Sequence, residues 1–215
     1  MHAGLAPAHE KNARPFIVAV GGTTRNGSST EKALRVALSH LESLGAETVL
    51  LGAKDLLLPM YDPAAPDRTP AAKRLVELLR RADGILIGSP AYHGSISGLV
   101  KNALDYVEDM RADARPYLDG RAVGCIVTAA GWQGTTTTLM TLRSVVHALR
   151  GWPTSVGVTI NTAEPSFDSH GQCLSSSTAA QLALIGRQVL DFAQKERLAR
   201  SMMAAQSEPA MALSF

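Results

Sequence analysis

The sequence has little of several features that mark specialised classes of protein. Its two cysteines, Cys125 and Cys173, form no CxxC or zinc-type spacing, and so few thiols favour a reduced, cytoplasmic compartment. No apolar run approaches the roughly 18 residues that are needed to span a membrane. The first 14 residues also have no apolar segment of the kind found in a secretory signal. We therefore expect a protein that is neither secreted nor inserted in a membrane.

Neither positive nor negative charge predominates in the sequence. The net charge is +2 at pH 7, with acids and bases interspersed along 215 residues, whereas binders of nucleic acid or anionic membranes usually carry a basic stripe. The histidines show no metal-ligand spacing, so no metal site is expected. With 46% hydrophobic residues, the chain can build one core of ordinary size. We expect one domain at 15–198, between a disordered arm at 1–14 and a loose tail at 199–215.

What the sequence does contain is an alternation of strand and helix patterns. Short apolar runs predict five buried parallel strands, at 16–20, 48–51, 84–88, 122–128 and 154–160. Helical patterns follow them in turn, at about 28–44, 70–83, 97–110, 137–150 and 176–197. This alternation predicts an α/β fold, a three-layer sandwich around a five-stranded parallel sheet. The flavodoxin-like order 2-1-3-4-5 fits best, because its switch point lies between strands 1 and 3, each of which ends in a polar turn.

The first of these turns reads Gly-Thr-Thr-Arg-Asn-Gly-Ser-Ser-Thr at 22–30. It lacks both the G-x-G-x-x-G pattern of dinucleotide binding and the Gly-Lys-Ser/Thr of a P-loop. Hydroxyl groups, a guanidinium and the N–H groups of a helix start instead favour a terminal phosphate monoester, such as that of FMN. The candidate residues are Thr23, Arg25, Ser28, Ser29 and Thr30. An alternative stays open, because Ser28 and Glu31 also form an S-x-x-E capping box that needs no ligand.

The second turn lies between the third apolar run and its helix. Its candidate residues are Pro90, Ala91, Tyr92, His93, Gly94 and Ser95. The first three offer a flat wall for an aromatic ring, and the backbone N–H groups of the last three can reach the ring's polar edge. His93 could equally be a loop residue that faces solvent, and a structural role is favoured over proton transfer.

The third turn follows the fourth strand and contains Gly131, Trp132 and Gln133. These residues could close the far side of a ring that is held by the second turn. Packing of Trp132 on the helix behind it carries equal weight. Cys125, in the middle of the fourth strand, is expected in the core.

Two of these segments carry a family resemblance, which covers about residues 15–160 in motif order. The chain resembles the NADPH-dependent FMN reductase family, flavodoxin-like enzymes that include chromate, quinone and azo-dye reductases. That family shows G-S-x-R-x-x-S-x-N after its first strand, which corresponds to 22–30 here. It also shows P-x-Y-x-x-S-x-x-G-x-L-K-N-x-x-D, and 90–105 read Pro-Ala-Tyr-His-Gly-Ser-Ile-Ser-Gly-Leu-Val-Lys-Asn-Ala-Leu-Asp. The second motif is the more specific of the two.

The resemblance implies a site and a reaction. It implies that Thr23, Arg25, Ser28 and Thr30 hold the FMN phosphate and that the second and third turns line the isoalloxazine. It also implies hydride transfer from NADPH or NADH to FMN, a step for which we assign no catalytic side chain. The sequence departs from the family in having Ala91 where many members have Glu, His93 where many have Asn, and Thr30 in place of Asn. These departures concern substrate preference more than flavin binding.

The resemblance further implies a homodimer or homotetramer, with small-molecule substrates and, in some members, a partner flavin-dependent monooxygenase. A quinone, azo-dye or chromate reductase with bound FMN is the alternative activity. A flavodoxin-type electron carrier is less favoured, because such carriers are usually strongly acidic. An arginine near the mouth of the site would favour NADPH over NADH, and the candidates are Arg111, Arg115 and Arg121.

Overall fold

A seven-stranded, mainly parallel β-sheet carries the fold. The computed structural model describes residues 14–65 and 67–207. The strands are β1 (Phe16–Gly21), β2 (Glu47–Leu51), β3 (Gly84–Tyr92), β4 (Ser95–Ile96), β5 (Ala122–Ala129), β6 (Trp152–Pro153) and β7 (Val158–Asn161). The expected arm at 1–14 lies, apart from Arg14, outside the described residues.

The strand order is β2-β1-β3-β5, followed by β6 and β7, which both pair in parallel with β5. This confirms the predicted order 2-1-3-4-5. The strand count differs because the predicted fifth strand is divided: β6 pairs with the start of β5 and β7 with its end. The short β4 is an addition, since it pairs antiparallel with the end of β3.

Five helices cover the two faces of the sheet. They are α1 (Ser29–Ser43), α2 (Pro70–Arg81), α3 (Gly98–Asp105), α4 (Trp132–Ala148) and α5 (Ser176–Ser207). Short 3₁₀ turns at Ala53–Leu56 and Tyr106–Met110 extend β2 and α3. On one face α1 and α5 pack against one set of strand side chains, and α2, α3 and α4 pack against the alternate set on the other. The sandwich therefore has the three layers that were predicted.

The strands alternate between the two cores as the two-residue period of a strand requires. In β1, Ile17 and Ala19 face the core formed with α1 and α5, while Val18 and Val20 face the other core. All four side chains are fully buried. Burial on both faces explains why the strand segments are continuously apolar.

The last helix is longer than the sequence pattern predicts. We expected it to end near Arg197, but it continues to Ser207, which includes residues 199–207 that were assigned to the tail. Asp83, at the start of β3, explains the extension, because its carboxylate accepts hydrogen bonds from Arg197 (2.7 Å) and Arg200 (3.2 Å). Residues 208–215 lie outside the described part of the chain.

None of the helices in the described part of the chain combines the length and the apolar content that crossing a bilayer requires.

Candidate functional site

The three predicted turns meet at one edge of the sheet. They leave the carboxyl ends of β1, β3 and β5, which are paired side by side in parallel. Gly22 N–H donates to the carbonyl of Gly88 in β3 (3.3 Å), which joins the first turn to the second strand of the site. At the same crossing Gly21 has a φ of +150°, and a Cβ there would lie 1.9 Å from the Gly88 carbonyl oxygen. No larger residue can replace Gly21 at this crossing.

In the first turn, the exposed guanidinium of Arg25 follows the hydroxyl of Thr23, which is hydrogen-bonded to backbone groups of the same turn. Thr23 Oγ1 accepts from the Arg25 N–H at 3.1 Å and lies 3.2 Å from the Arg25 carbonyl oxygen, to which it donates. This pair of bonds fixes the backbone between the two residues. The Arg25 side chain itself is exposed and lies at the edge where the anion is expected.

The start of α1 shows which hydroxyl groups are already engaged. Ser28 is the N-cap of α1, and its Oγ accepts from the Glu31 N–H at 3.3 Å. The capping alternative is therefore confirmed for Ser28, although its hydroxyl proton stays available as a donor. Thr30 is buried, with its hydroxyl 2.7 Å from that of Thr128 in β5. Its side chain hence faces the sheet, and Thr30 can offer a ligand its backbone N–H, as can Ser29.

Glu31 was not among the predicted site residues, yet it holds the first turn in place. Its carboxylate is buried and accepts from the Gly27 N–H at 2.9 Å and from Arg35 at 2.7 and 3.0 Å. The S-x-x-E pattern is the signal for this contact, although Glu31 reaches one residue beyond the N-cap. Because Gly27 belongs to the turn and Arg35 to α1, the Glu31 carboxylate ties the first turn to the helix.

The second turn is the tip of a β-hairpin rather than a loop. β3 runs on through Pro90, Ala91 and Tyr92, and Tyr92 pairs with Ser95 of β4. His93 (φ 53°) and Gly94 (φ 81°) form the two-residue connection, with the positive φ values of a type I′ turn. His93 thus occupies a position that favours Asn, Asp or His on backbone grounds alone. Tyr92 and His93 are exposed at the edge, whereas Pro90 is buried.

The third turn is shorter than predicted, because α4 begins at Trp132 rather than near residue 137. Its N-cap is Gly131, which has no side chain to accept from the first turn of the helix. Gly134 brings this helix start against the second turn, since a Cβ there would lie 3.8 Å from Cβ of Ala91. Trp132 is 61% exposed, so the alternative of packing on its own helix is not what the structure shows.

A cleft of about 300 Å³ opens beside the first turn. It lies between the start of α1 and the segment that follows β7, and Ser29, Lys32 and residues 162–167 line it. Lys32 Nζ donates to the carbonyl of Asp168 at 3.0 Å, which holds the ammonium group at the cleft. Sequence reasoning missed this cleft, because residues 162–175 carry no periodic pattern that places them.

The arginines that were candidates for a 2′-phosphate lie at the wrong edge. The segment that carries Arg111, Arg115 and Arg121 comes after α3 and enters the first residue of β5, so it lies at the amino ends of the strands. Arg121 is fully buried and donates to the carbonyls of Ala82 and Arg80 there. These three arginines are removed from the candidate site, since ligands of such sheets bind at the carboxyl ends.

The side chains at this edge are suited to binding an anion and a flat ring. Within residues 14–65 and 67–207, no three His, Cys, Asp or Glu side chains group as metal ligands would. Burial raises the pKa of the Cys125 thiol to about 12, so this strand residue is protonated at neutral pH and belongs to the core. The edge instead offers an exposed guanidinium, helix N–H groups, a flat hairpin and an exposed indole.

Comparison with known proteins agrees with this geometry. A family model described as NADPH-dependent FMN reductase matches residues 15–165. An NAD(P)H-dependent FMN reductase of Pseudomonas aeruginosa is 30% identical over 159 residues, which cover 74% of this chain and 84% of that protein. An NADPH azoreductase of a Bacillus species is 29% identical over 119 residues, which cover 55% of this chain and 61% of that protein.

A solved structure supports the fold. The flavoenzyme NAD(P)H:(acceptor) oxidoreductase of Paracoccus denitrificans superposes with a TM-score of 0.72 at 22% identity. The alignment covers 85% of this chain and 98% of that one.

Proposed function

The chain belongs to the NADPH-dependent FMN reductase family, and on that premise we propose that the edge formed by its three turns binds FMN for reduction by a nicotinamide nucleotide. The observation that carries this proposal is the meeting of the three turns at the β1/β3 switch point. FMN, when bound, supplies the chemistry of accepting a hydride equivalent. The protein contributes binding, orientation and charge.

The donor set of the first turn fits a phosphate monoester. Arg25 supplies a guanidinium, Ser28 supplies a hydroxyl proton, and the first turn of α1 supplies the N–H groups of Ser29 and Thr30. The hydroxyl of Thr23 is used within the turn, where it fixes the backbone of Arg25. First-turn N–H groups have no intrahelical acceptor, and the helix dipole adds positive potential at the same point. The bonds of Glu31 keep this turn in one conformation, so little ordering is left to the binding step.

The second and third turns fit a flat aromatic ring. Tyr92 and Trp132 both expose large aromatic surfaces at this edge, and such surfaces are costly in water unless they cover something. We infer that the isoalloxazine lies between the hairpin 90–95 and the start of α4. We propose that the Gly94 N–H, at the tip of the hairpin, stabilises negative charge that develops on the ring.

The acceptor of the electrons is a separate question. The open edge favours exchange of FMN as a substrate, with delivery of reduced flavin to a partner such as a monooxygenase. The azoreductase relative supports the second candidate, in which FMN stays bound and a dye or quinone is reduced. Retention of flavin through gel filtration distinguishes the two: exchange predicts flavin-free protein, and a prosthetic role predicts that flavin co-elutes. A cytoplasmic homodimer or homotetramer belongs to the same proposal.

The phosphate assignment is tested at Arg25. We predict that Arg25→Ala weakens FMN affinity about tenfold or more, because a charge-assisted contact to phosphate is lost. Riboflavin, which has no phosphate, should bind both forms of the protein alike. Fluorescence titration of each flavin gives the dissociation constants.

Arg187→Ala is the matched control, since Arg187 is an exposed arginine of α5, on a helix away from the first turn. Equal FMN affinity of wild type and Arg25→Ala would remove the phosphate from this turn. A loss that riboflavin shares equally would point to distortion of the loop instead.

A further inference from the structure

The cleft beside the first turn shares Ser29 with the proposed FMN phosphate site, but its other lining residues take no part in holding FMN. We propose that the cleft lined by Ser29, Lys32 and residues 162–167 receives the 2′-phosphate of NADPH, and that Lys32 and Glu164 together set the choice between NADPH and NADH. This inference rests on the proposed function, because a dinucleotide must approach the same edge. It replaces the three arginines that the fold places at the opposite edge.

Lys32 has the charge and the position that the role requires. It lies on α1, one turn from the N-cap Ser28, and its ammonium group is fixed by the carbonyl of Asp168 at 3.0 Å. An ammonium group has three donors, so in the described part of the chain the bond to Asp168 leaves donors that can reach into the cleft. A phosphate on a ribose is the anion for which a fixed lysine beside a helix start is suited.

Other cations near this edge are engaged elsewhere. Arg35 is bound to the Glu31 carboxylate at 2.7 Å, and Arg25 stands on the opposite side of Ser28 in the first turn. Lys32 is therefore the cation that lines the cleft itself. Its half-buried stem on α1 gives the ammonium group a narrower range of positions than a surface lysine has.

Glu164 gives the cleft its second recognition element. It is an exposed acid that lines the same cleft as Lys32. In dinucleotide sites a carboxylate accepts from the ribose 2′-hydroxyl of NADH, whereas a cation accommodates the 2′-phosphate of NADPH. The two side chains thus act in opposite directions. Removing Lys32 should shift the preference toward NADH, and removing Glu164 should shift it toward NADPH.

The size of the cleft fits part of a nucleotide rather than a whole one. At about 300 Å³ it lies at the lower limit of ligand pockets, which hold roughly 300–1,000 Å³. The Thr162 N–H donates to the carbonyl of Ala129 at the end of β5 (2.7 Å), so the cleft adjoins the third turn. A dinucleotide can therefore place its phosphorylated ribose in the cleft while its other end reaches the hairpin.

The test uses adenosine 2′,5′-bisphosphate and 5′-AMP, which differ by the 2′-phosphate alone. We predict that calorimetry of the full-length protein shows tighter binding of the bisphosphate. Lys32→Gln should abolish that difference, a loss of about tenfold or more. Glu164→Gln should increase it. Lys195→Gln, which changes an exposed lysine of α5, is the control and should leave both affinities unchanged.

Kinetics with FMN as acceptor supply the second readout. Lys32→Gln should raise KM for NADPH about tenfold and leave KM for NADH and kcat nearly unchanged. Equal effects on both nucleotides, or an unchanged preference in the binding assay, would overturn the inference. A fall in FMN affinity with unchanged nucleotide preference would also overturn it, because the cleft would then hold the flavin phosphate.

These outcomes are separable from failure of the proposed function. If wild-type protein fails to reduce FMN with either nucleotide, the proposed function fails whatever Lys32 does. If wild type reduces FMN but Lys32→Gln keeps its full NADPH preference, the inference about the cleft fails and the function stands.

Discussion

At the scale of single residues, Arg121 shows how a buried charge can serve the fold. It is fully buried, and its guanidinium donates to the carbonyls of Arg80 (2.7 Å) and Ala82 (3.0 Å) at the end of α2. It also donates to the carbonyls of Tyr117 and Asp119, both at 3.2 Å. Desolvation lowers the pKa of Arg121 to about 10, which reflects the cost that these four carbonyls offset. The residue ties the end of α2 to the approach of β5.

We predict that Arg121→Met lowers the free energy of unfolding by about 3 kcal/mol, because several buried carbonyl groups lose their donor at once. Methionine keeps much of the side-chain volume, so the loss reflects hydrogen bonding rather than a cavity. Denaturant unfolding measures the difference, with Arg187→Met as the exposed control. A change as small as that of the control would show that water replaces the guanidinium without cost.

Individual side chains were only partly predictable at the site. Arg25 and Tyr92 lie at the edge as the pattern of small residues around them indicated. Thr30 does not present its hydroxyl there, because its side chain, two residues after the N-cap Ser28, points to the sheet and contacts Thr128. Helix phase within one turn is set by tertiary packing, and no local pattern reports it.

At the scale of elements, the connection between β2 and α2 is held against α3. We call its residues 57–65 and 67–69 the strap. Asn102 accepts from the Tyr61 N–H at 2.8 Å and donates to the Pro59 carbonyl at 2.9 Å. Arg68 forms two bonds of 2.8 Å with the Asp109 carboxylate. Its guanidinium also lies over the Tyr61 ring, 4.7 Å from the ring centre. Asn102, quoted as part of the second motif, thus positions the strap rather than a ligand.

The strap gives a prediction about pH. The hydrogen bonds of Arg68 hold the pKa of Asp109 below its usual value, against an opposing effect of burial. A carboxyl whose pKa falls on folding adds stability above its unfolded pKa of roughly 3.9 and loses it as pH falls through the folded value. We predict that Asp109→Asn costs about 1–2 kcal/mol near neutral pH. The difference from wild type should disappear below the folded pKa, as measured by urea unfolding across this range.

Glu77→Gln is the control for the strap, since Glu77 is a more exposed acid that pairs with Arg80 at the surface. It should show little difference from wild type at any of these pH values. A cost for Asp109→Asn that stays constant from neutral to acid pH would contradict a role for its charge.

The starts of helices were predictable where the sequence carries a capping residue and less predictable elsewhere. Thr69 and Pro70 begin α2 as predicted, with Thr69 Oγ1 accepting from the Ala72 N–H. α4 begins five residues earlier than predicted, because Gly131 gives no cap signal and the run of threonines after it has low helix propensity. α4 as a whole packs against β5 and β7, and this tertiary packing outweighs the low propensity of its first residues. The hairpin 90–95 was missed because His-Gly is a rarer type I′ pair than Asn-Gly.

At the scale of the whole molecule, the strand order and the meeting of the polar turns at one edge of the sheet were predictable together. Continuous apolar runs gave five parallel strand positions, and two polar turns indicated the switch point. Neither the cleft at 162–167 nor the extension of α5 was predictable from the sequence, because both depend on contacts between distant segments. At this scale the net charge of +2 disfavours an electron carrier, because carriers that dock on partner proteins usually present a field of one sign.

We expect this molecule to catalyse reduction of FMN by a nicotinamide nucleotide. The most direct measurement is the visible absorbance of FMN under anaerobic conditions with a small amount of protein, before and after addition of NADPH and, separately, NADH. We predict bleaching of the flavin band far faster than without protein, which also ranks the two donors. FMN that binds to the protein but is bleached by neither nucleotide above the protein-free rate would contradict the claim.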